Sequence, residues 1–127
     1  MTIRRKVVAI IDDDLSIRDG VARLVAALGY RTEVYSSGEE FIDAAIKSEA
    51  SCLLDDIQLG DLSGAELARH LSAMGLTFPV VFMTGSRDEI VRKQAIEFGC
   101  IAYLLKPFHT DQLVNAITEA IGPPGDF

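Results

Sequence analysis

The sequence predicts an α/β fold, a doubly wound and mostly parallel sheet of five strands with helices on both faces. Three observations predict it. Short apolar runs rich in β-branched residues alternate five times with longer segments whose apolar residues recur at helical spacing. Apart from the second, the short runs are continuously apolar, as strands buried on both faces must be. Chemically distinctive residues follow the ends of these runs, where open α/β sheets place their ligand sites.

The first strand is Val7 to Ile11, with Arg4-Arg5-Lys6 as a solvated basic lead-in. Its apolar run is too short for a secretion signal and runs into three aspartates. Ile17, Val21, Leu24, Val25 and Leu28 then share one helical face, and Gly29 stops that helix. Thr32 to Tyr35 alternates, as an edge strand does. Ser37 and Glu40 have capping-box spacing before Phe41, Ile42 and Ala45. Cys52 to Leu54 is a short strand ending in Asp55-Asp56. Ser63 and Glu66 repeat the capping pattern before Leu67, Leu71 and Met74. Pro79 introduces Val80 to Met83, which ends at Thr84-Gly85. A helix follows from Asp88 to Phe98, stopped by Gly99. Ala102 to Leu105 is the last strand, ending at Lys106-Pro107, and the fifth helix carries Leu113, Val114, Ile117 and Ile121.

The 127 residues fit one domain, spanning 1–121, with Gly122-Pro123-Pro124-Gly125 opening a tail or linker over 122–127. At 49% hydrophobic the chain can bury a real core. A net charge of -7 argues against direct nucleic-acid binding, which needs clustered cations. No apolar stretch approaches the roughly 20 residues of a membrane-spanning helix. Cys52 and Cys100 lack metal-ligand spacing and read as reduced buried thiols, which suits a cytoplasmic location.

If the sheet is parallel, Asp12-Asp13, Asp56, Thr84 and Lys106 converge on one rim. Alone, each has an ordinary reading: a turn acid, a strand-end hydroxyl, a surface lysine. Together they describe a charged pocket. Clustered carboxylates repel one another and recruit a cation. Hard oxygen ligands in an open site suit Mg²⁺, or Mn²⁺. A carboxylate there can take up a phosphoryl group once charge is neutralised, with Lys106 as a point charge and Thr84 as a donor. Asp14 reads as a helix cap only.

The chain resembles the response-regulator receiver domains of two-component signalling, in particular receivers of nitrogen-fixation-type transcription regulators. "IIDDD", "LLDDIQLGDLSG", "VVFMTG" and "YLLKPF" carry the resemblance, which covers about Lys6 to Ile121. It implies a flavodoxin-like three-layer αβα fold with strand order 2-1-3-4-5. It makes Asp56 the phospho-acceptor and Asp12, Asp13, Asp56 and the Gln58 carbonyl the metal ligands, Asp12 mostly through water. Thr84 and Lys106 would contact the phosphoryl group, and the Lys106-Pro107 bond would be cis. Thr84 and Tyr103 would act as switch residues. The readout face would be the fourth helix, fifth strand and fifth helix, around Lys93, Tyr103 and Gln112. The implied partners are a sensor histidine kinase or histidine phosphotransfer protein, and a second copy of the chain through that face. Such a protein takes up and slowly loses its own phosphoryl group and is not a turnover enzyme.

Two positions depart from the family pattern. Gly60 stands where proline is usual and frees the loop beside Asp56. Asp55 should point away from Asp56, because a strand alternates its side chains. His70 and His109 take no catalytic role. A Mg²⁺-dependent phosphatase on a similar sheet would carry a second aspartate at the position of Gln58. An FMN carrier would need a hydroxyl-rich first loop. A pseudo-receiver would lack part of the acidic set.

Overall fold

The computed structural model of the chain describes residues 5–56, 64–85, 89, 93 and 101–125. Five parallel strands form one sheet: β1 (Val7–Ile11), β2 (Arg31–Tyr35), β3 (Ala50–Asp56), β4 (Val80–Thr84) and β5 (Ala102–Leu105). Their order is β2-β1-β3-β4-β5. The chain moves outward from β1 to β2, then returns across β1 to β3. The order therefore reverses between β1 and β3, and a crevice opens beyond their carboxyl ends.

Side chains alternate across the sheet and build two cores. Val8, Ile10, Cys52, Leu54, Val81, Met83 and Leu104 face α1 (Leu15–Ala27) and the C-terminal helix (Thr110–Ile121). Ala9, Ile11 and Leu53 face α2 (Gly38–Ala44) and α3 (Gly64–Ala73). In the second core the Phe41 ring makes edge contacts with Tyr35 at 5.1 Å and Phe78 at 5.4 Å. Three layers result, as the sequence predicts.

The helices begin where local chemistry satisfies their free N–H groups. Asp14 caps α1, its carboxylate accepting from the Ile17 N–H at 3.1 Å. Ser37 Oγ accepts from the Glu40 N–H at 3.1 Å, but Glu40 turns back to Ser36 rather than Ser37. Gln112 accepts from the His109 N–H at 2.8 Å and so stabilises the start of the C-terminal helix. Gly29 ends the α1 turn with a φ of 102°, open chiefly to glycine.

Strand β3 is longer than its apolar run suggests. Asp55 pairs with Ile11 and Phe82, and Asp56 pairs with Met83, so both belong to the strand. Aspartate disfavours strands intrinsically, but the β1 and β4 ladders hold this backbone. Glu89 and Lys93 of the expected fourth helix are helical. Gln58, Gly60, Ser63 and Cys100 lie outside the described residues. No described helix is long and apolar enough to cross a membrane.

Candidate functional site

Asp12 is the first residue after β1. Its N–H donates to the Tyr35 carbonyl at 3.1 Å, which continues the β1–β2 ladder and places the side chain at the switch point. Asp12 is buried, and both of its oxygens are used. Oδ1 accepts from the Asp14 N–H at 3.0 Å, and Oδ2 accepts from the Lys106 ammonium at 3.1 Å. Asp13, next in the turn, is exposed.

Asp56 closes β3 on the same rim. Asp12, Asp13 and Asp56 each offer an oxygen within 4.8 Å of the other two. At that separation each ionised pair repels by roughly 3.5 kcal/mol at an effective dielectric of 20. Lys106 Nζ lies 3.1 Å from Asp12 Oδ2 and 3.2 Å from Asp56 Oδ2, and neutralises part of this charge. Lys106 is placed by its backbone, whose N–H donates to the Thr84 carbonyl at 2.7 Å. The Lys106-Pro107 bond is cis, as expected. Thr84 is buried at the end of β4.

The pocket shifts the affinities of its groups for protons. Burial raises the Asp56 pKa from 3.8 to about 6; Asp12 adds to the rise and Lys106 opposes it. Burial lowers the affinity of Lys106 for its proton, but Asp12 and Asp56 outweigh burial, and its pKa rises. Both Asp56 oxygens are buried, and neither accepts a hydrogen bond of good geometry from a described residue. An acidic cluster in which Asp56 Oδ2 meets only the Lys106 ammonium, Asp56 Oδ1 meets no donor among the described residues, and the mouth is exposed at Asp13 fits a hard, partly hydrated divalent cation.

Asp55 has no role assigned from the sequence, and the structure buries it almost completely. Strand alternation directs it to the α2–α3 face, away from Asp56. Burial, then the charges of Asp56 and Asp12, push its pKa well above the carboxylate range. Its position inside a run of buried strand residues was the available signal. Tyr103 on β5 pairs with Phe82 on β4, and its hydroxyl oxygen is shielded from solvent. His70 and His109 are exposed and outside this group.

A family model, the response regulator receiver domain, matches residues 8–118. The chain belongs to this family. Among the receiver's relatives, response regulator protein TodT of Pseudomonas putida is 31% identical over 121 residues, or 95% of this chain and 53% of TodT. Transcriptional regulatory protein FixJ of Bradyrhizobium diazoefficiens is 31% identical over 112 residues, or 88% of this chain and 55% of FixJ. The receiver thus spans about half the length of these relatives. The crystal structure of FIXJ-N matches with a TM-score of 0.84 at 27% identity, covering 92% of this chain and 94% of that one. The expected likeness to receivers of the FixJ kind is borne out, and so are the fold and its strand order. The chain is a receiver domain of the two-component response-regulator type.

Proposed function

We propose that Asp56 of this receiver takes a phosphoryl group from a phosphohistidine on a partner protein. The observation that carries this reading is the convergence of three aspartates within 4.8 Å under the Lys106 ammonium. An Asp56 oxygen attacks phosphorus, the P–N bond breaks, and its electron pair leaves with the imidazole. Phosphoryl transfer demands positioning and charge neutralisation more than covalent chemistry. Lys106 supplies one positive charge at the acceptor oxygen. Asp13, Asp56 and the Gln58 carbonyl would hold Mg²⁺ or Mn²⁺ directly. Asp12, with both oxygens already engaged, would act through water. The bound ion would screen the phosphoryl oxygens during transfer.

Loading the pocket would draw the Thr84 hydroxyl toward the phosphoryl group, and Tyr103 would repack with it. Phosphorylation would thereby bias a two-state equilibrium of the face that carries Lys93, Tyr103 and Gln112. Gln112 also stabilises the start of its helix through the His109 N–H, so a change at this face reaches a helix terminus. The partners inferred are a sensor histidine kinase or histidine phosphotransfer protein, and a second receiver through that face. The protein would work in the cytoplasm as a switch, without turnover of an external substrate. In the longer relatives' pattern, a transcription-regulating region would read the switch.

Acetyl phosphate with MgCl₂ tests the reading. Intact-mass analysis should show one phosphoryl group added, lost on hydroxylamine treatment, and absent in Asp56→Asn. Undiminished labelling of Asp56→Asn would refute the acceptor assignment.

A further inference from the structure

The segment after the C-terminal helix does not leave the domain. Gly122, with a φ of 73°, turns the chain off the helix and back across the base of the sheet. Three carbonyls of this segment, at 121, 122 and 124, then accept bonds from residues near the start of the first two strands. The Ile121 carbonyl accepts from the Lys6 ammonium. The Gly122 carbonyl accepts from the Tyr30 hydroxyl at 2.8 Å. The Pro124 carbonyl accepts from the Lys6 backbone N–H at 2.7 Å.

These donors sit at the amino ends of two strands. Lys6 immediately precedes β1, and its carbonyl accepts from the Arg31 N–H at 2.9 Å, which fixes β2 beside it. Tyr30 immediately precedes β2 and is part of the core that α1 and the C-terminal helix share. The Pro124 ring covers Gly29, where an added Cβ would lie 3.0 Å from Pro124 Cγ. The segment therefore touches β1, the α1–β2 turn and the end of the last helix at once.

We propose that Gly122–Pro124 is a strap that closes the base of the receiver and belongs to its folding unit. On this proposal residues 122–124 are part of the folded domain, where Gly-Pro-Pro-Gly reads in the sequence as a tail or the start of a linker. It lies at the pole opposite the acidic pocket, about one strand length away, or roughly 17 Å for five residues. Chain beyond Gly125 starts from that base, anchored to β1, and not from the end of a freely swinging helix.

Two glycines allow the contact to be separated from backbone strain. Gly29 and Gly75 both have positive φ, but nothing lies within 4 Å of a Cβ added at Gly75. In urea unfolding of the full chain, Gly29→Ala should cost more than Gly75→Ala. Tyr30→Phe should lower the folding equilibrium constant about five-fold, the worth of one net hydrogen bond. In a chain ending at Ile121, the Tyr30→Phe penalty should shrink to what the remaining Thr118 contact gives, and the Gly29→Ala penalty should fall to that of Gly75→Ala. Failure of that shortened chain to fold would also support the strap. Amide exchange gives a readout free of truncation. The Lys6 N–H of the intact chain should exchange on the order of 100-fold more slowly than an unstructured amide. Free exchange at Lys6, or equal penalties with and without residues 122–127, would overturn the proposal.

Discussion

Replacing Lys106 by methionine keeps most of the side chain's volume and removes its charge. The ammonium stands 3.1 Å from Asp12 Oδ2 and 3.2 Å from Asp56 Oδ2. At an effective dielectric of 20 each contact is worth about 5 kcal/mol of gross attraction. Much of this is offset by the cost of burying the ammonium, several kcal/mol. Removing one partner from a buried ion cluster typically costs about 3–5 kcal/mol. The lower end is expected here, because Asp56, already raised to about 6, can take up a proton instead of bearing the repulsion. That uptake fixes the pH dependence. One extra proton on the folded variant is worth about 1.4 kcal/mol per pH unit, whereas partial titration of Asp56 in the parent returns about 0.4 between pH 7 and 6. The penalty should therefore shrink by at most about 1 kcal/mol over that unit, and by less where water screens the open side of the pocket. Urea unfolding in EDTA, followed by far-ultraviolet circular dichroism, measures both quantities. A penalty below about 0.5 kcal/mol at neutral pH, or one that grows as the pH falls, would refute the reasoning.

Other outcomes follow from the same structure. The raised Asp56 pKa means that the folded chain keeps a proton which the unfolded chain releases. The Asp56 contribution to metal-free stability should therefore fall as pH rises from about 4 through about 6 and then level off, while buried Asp55, with its pKa raised well above the usual value, prolongs the decline; metal-free stability that rises between pH 4 and 6 would contradict this. Mg²⁺ competes with that proton, so its thermal stabilisation should be absent near pH 4 and full above about pH 7; equal melting shifts at both ends would contradict this. Phe41→Ala removes a fully buried ring held between Tyr35 and Phe78, and should cost about 3–5 kcal/mol in urea unfolding. Burial pushes the Cys52 thiol up to about 12, so in a Cys100→Ser background iodoacetamide should label Cys52 only after unfolding.

The strands were legible because burial on both faces forces a continuous apolar run, and parallel pairing forces an intervening helix. The rim of the pocket followed from that: residues after β1, β3, β4 and β5 must share one edge. Asp14 was readable as a cap because capping is local. Strand β3 was read short because local propensity ends it at Leu54, whereas the β1 ladder carries it to Asp55 and the β4 ladder to Asp56. The role of Gln112 in stabilising the last helix was missed, since it stands at capping-box spacing from position 109 but that position is a histidine and not the usual Ser or Thr. The strap was illegible for a different reason. Gly-Pro-Pro-Gly reports only that a helix stops, while the bonds that fold it back come from Lys6 and Tyr30, which the intervening chain separates from it by some 90 residues or more.

Borohydride trapping tests the central claim most directly, because it marks the atom that carries the phosphoryl group. Reduction converts an aspartyl phosphate to homoserine, and peptide mass mapping finds the position. After treatment with a phosphodonor and Mg²⁺, homoserine should appear at position 56 alone, and not when EDTA replaces Mg²⁺. Homoserine at Asp12, Asp13 or Asp55, or the same yield at Asp56 without a divalent cation, would contradict the account.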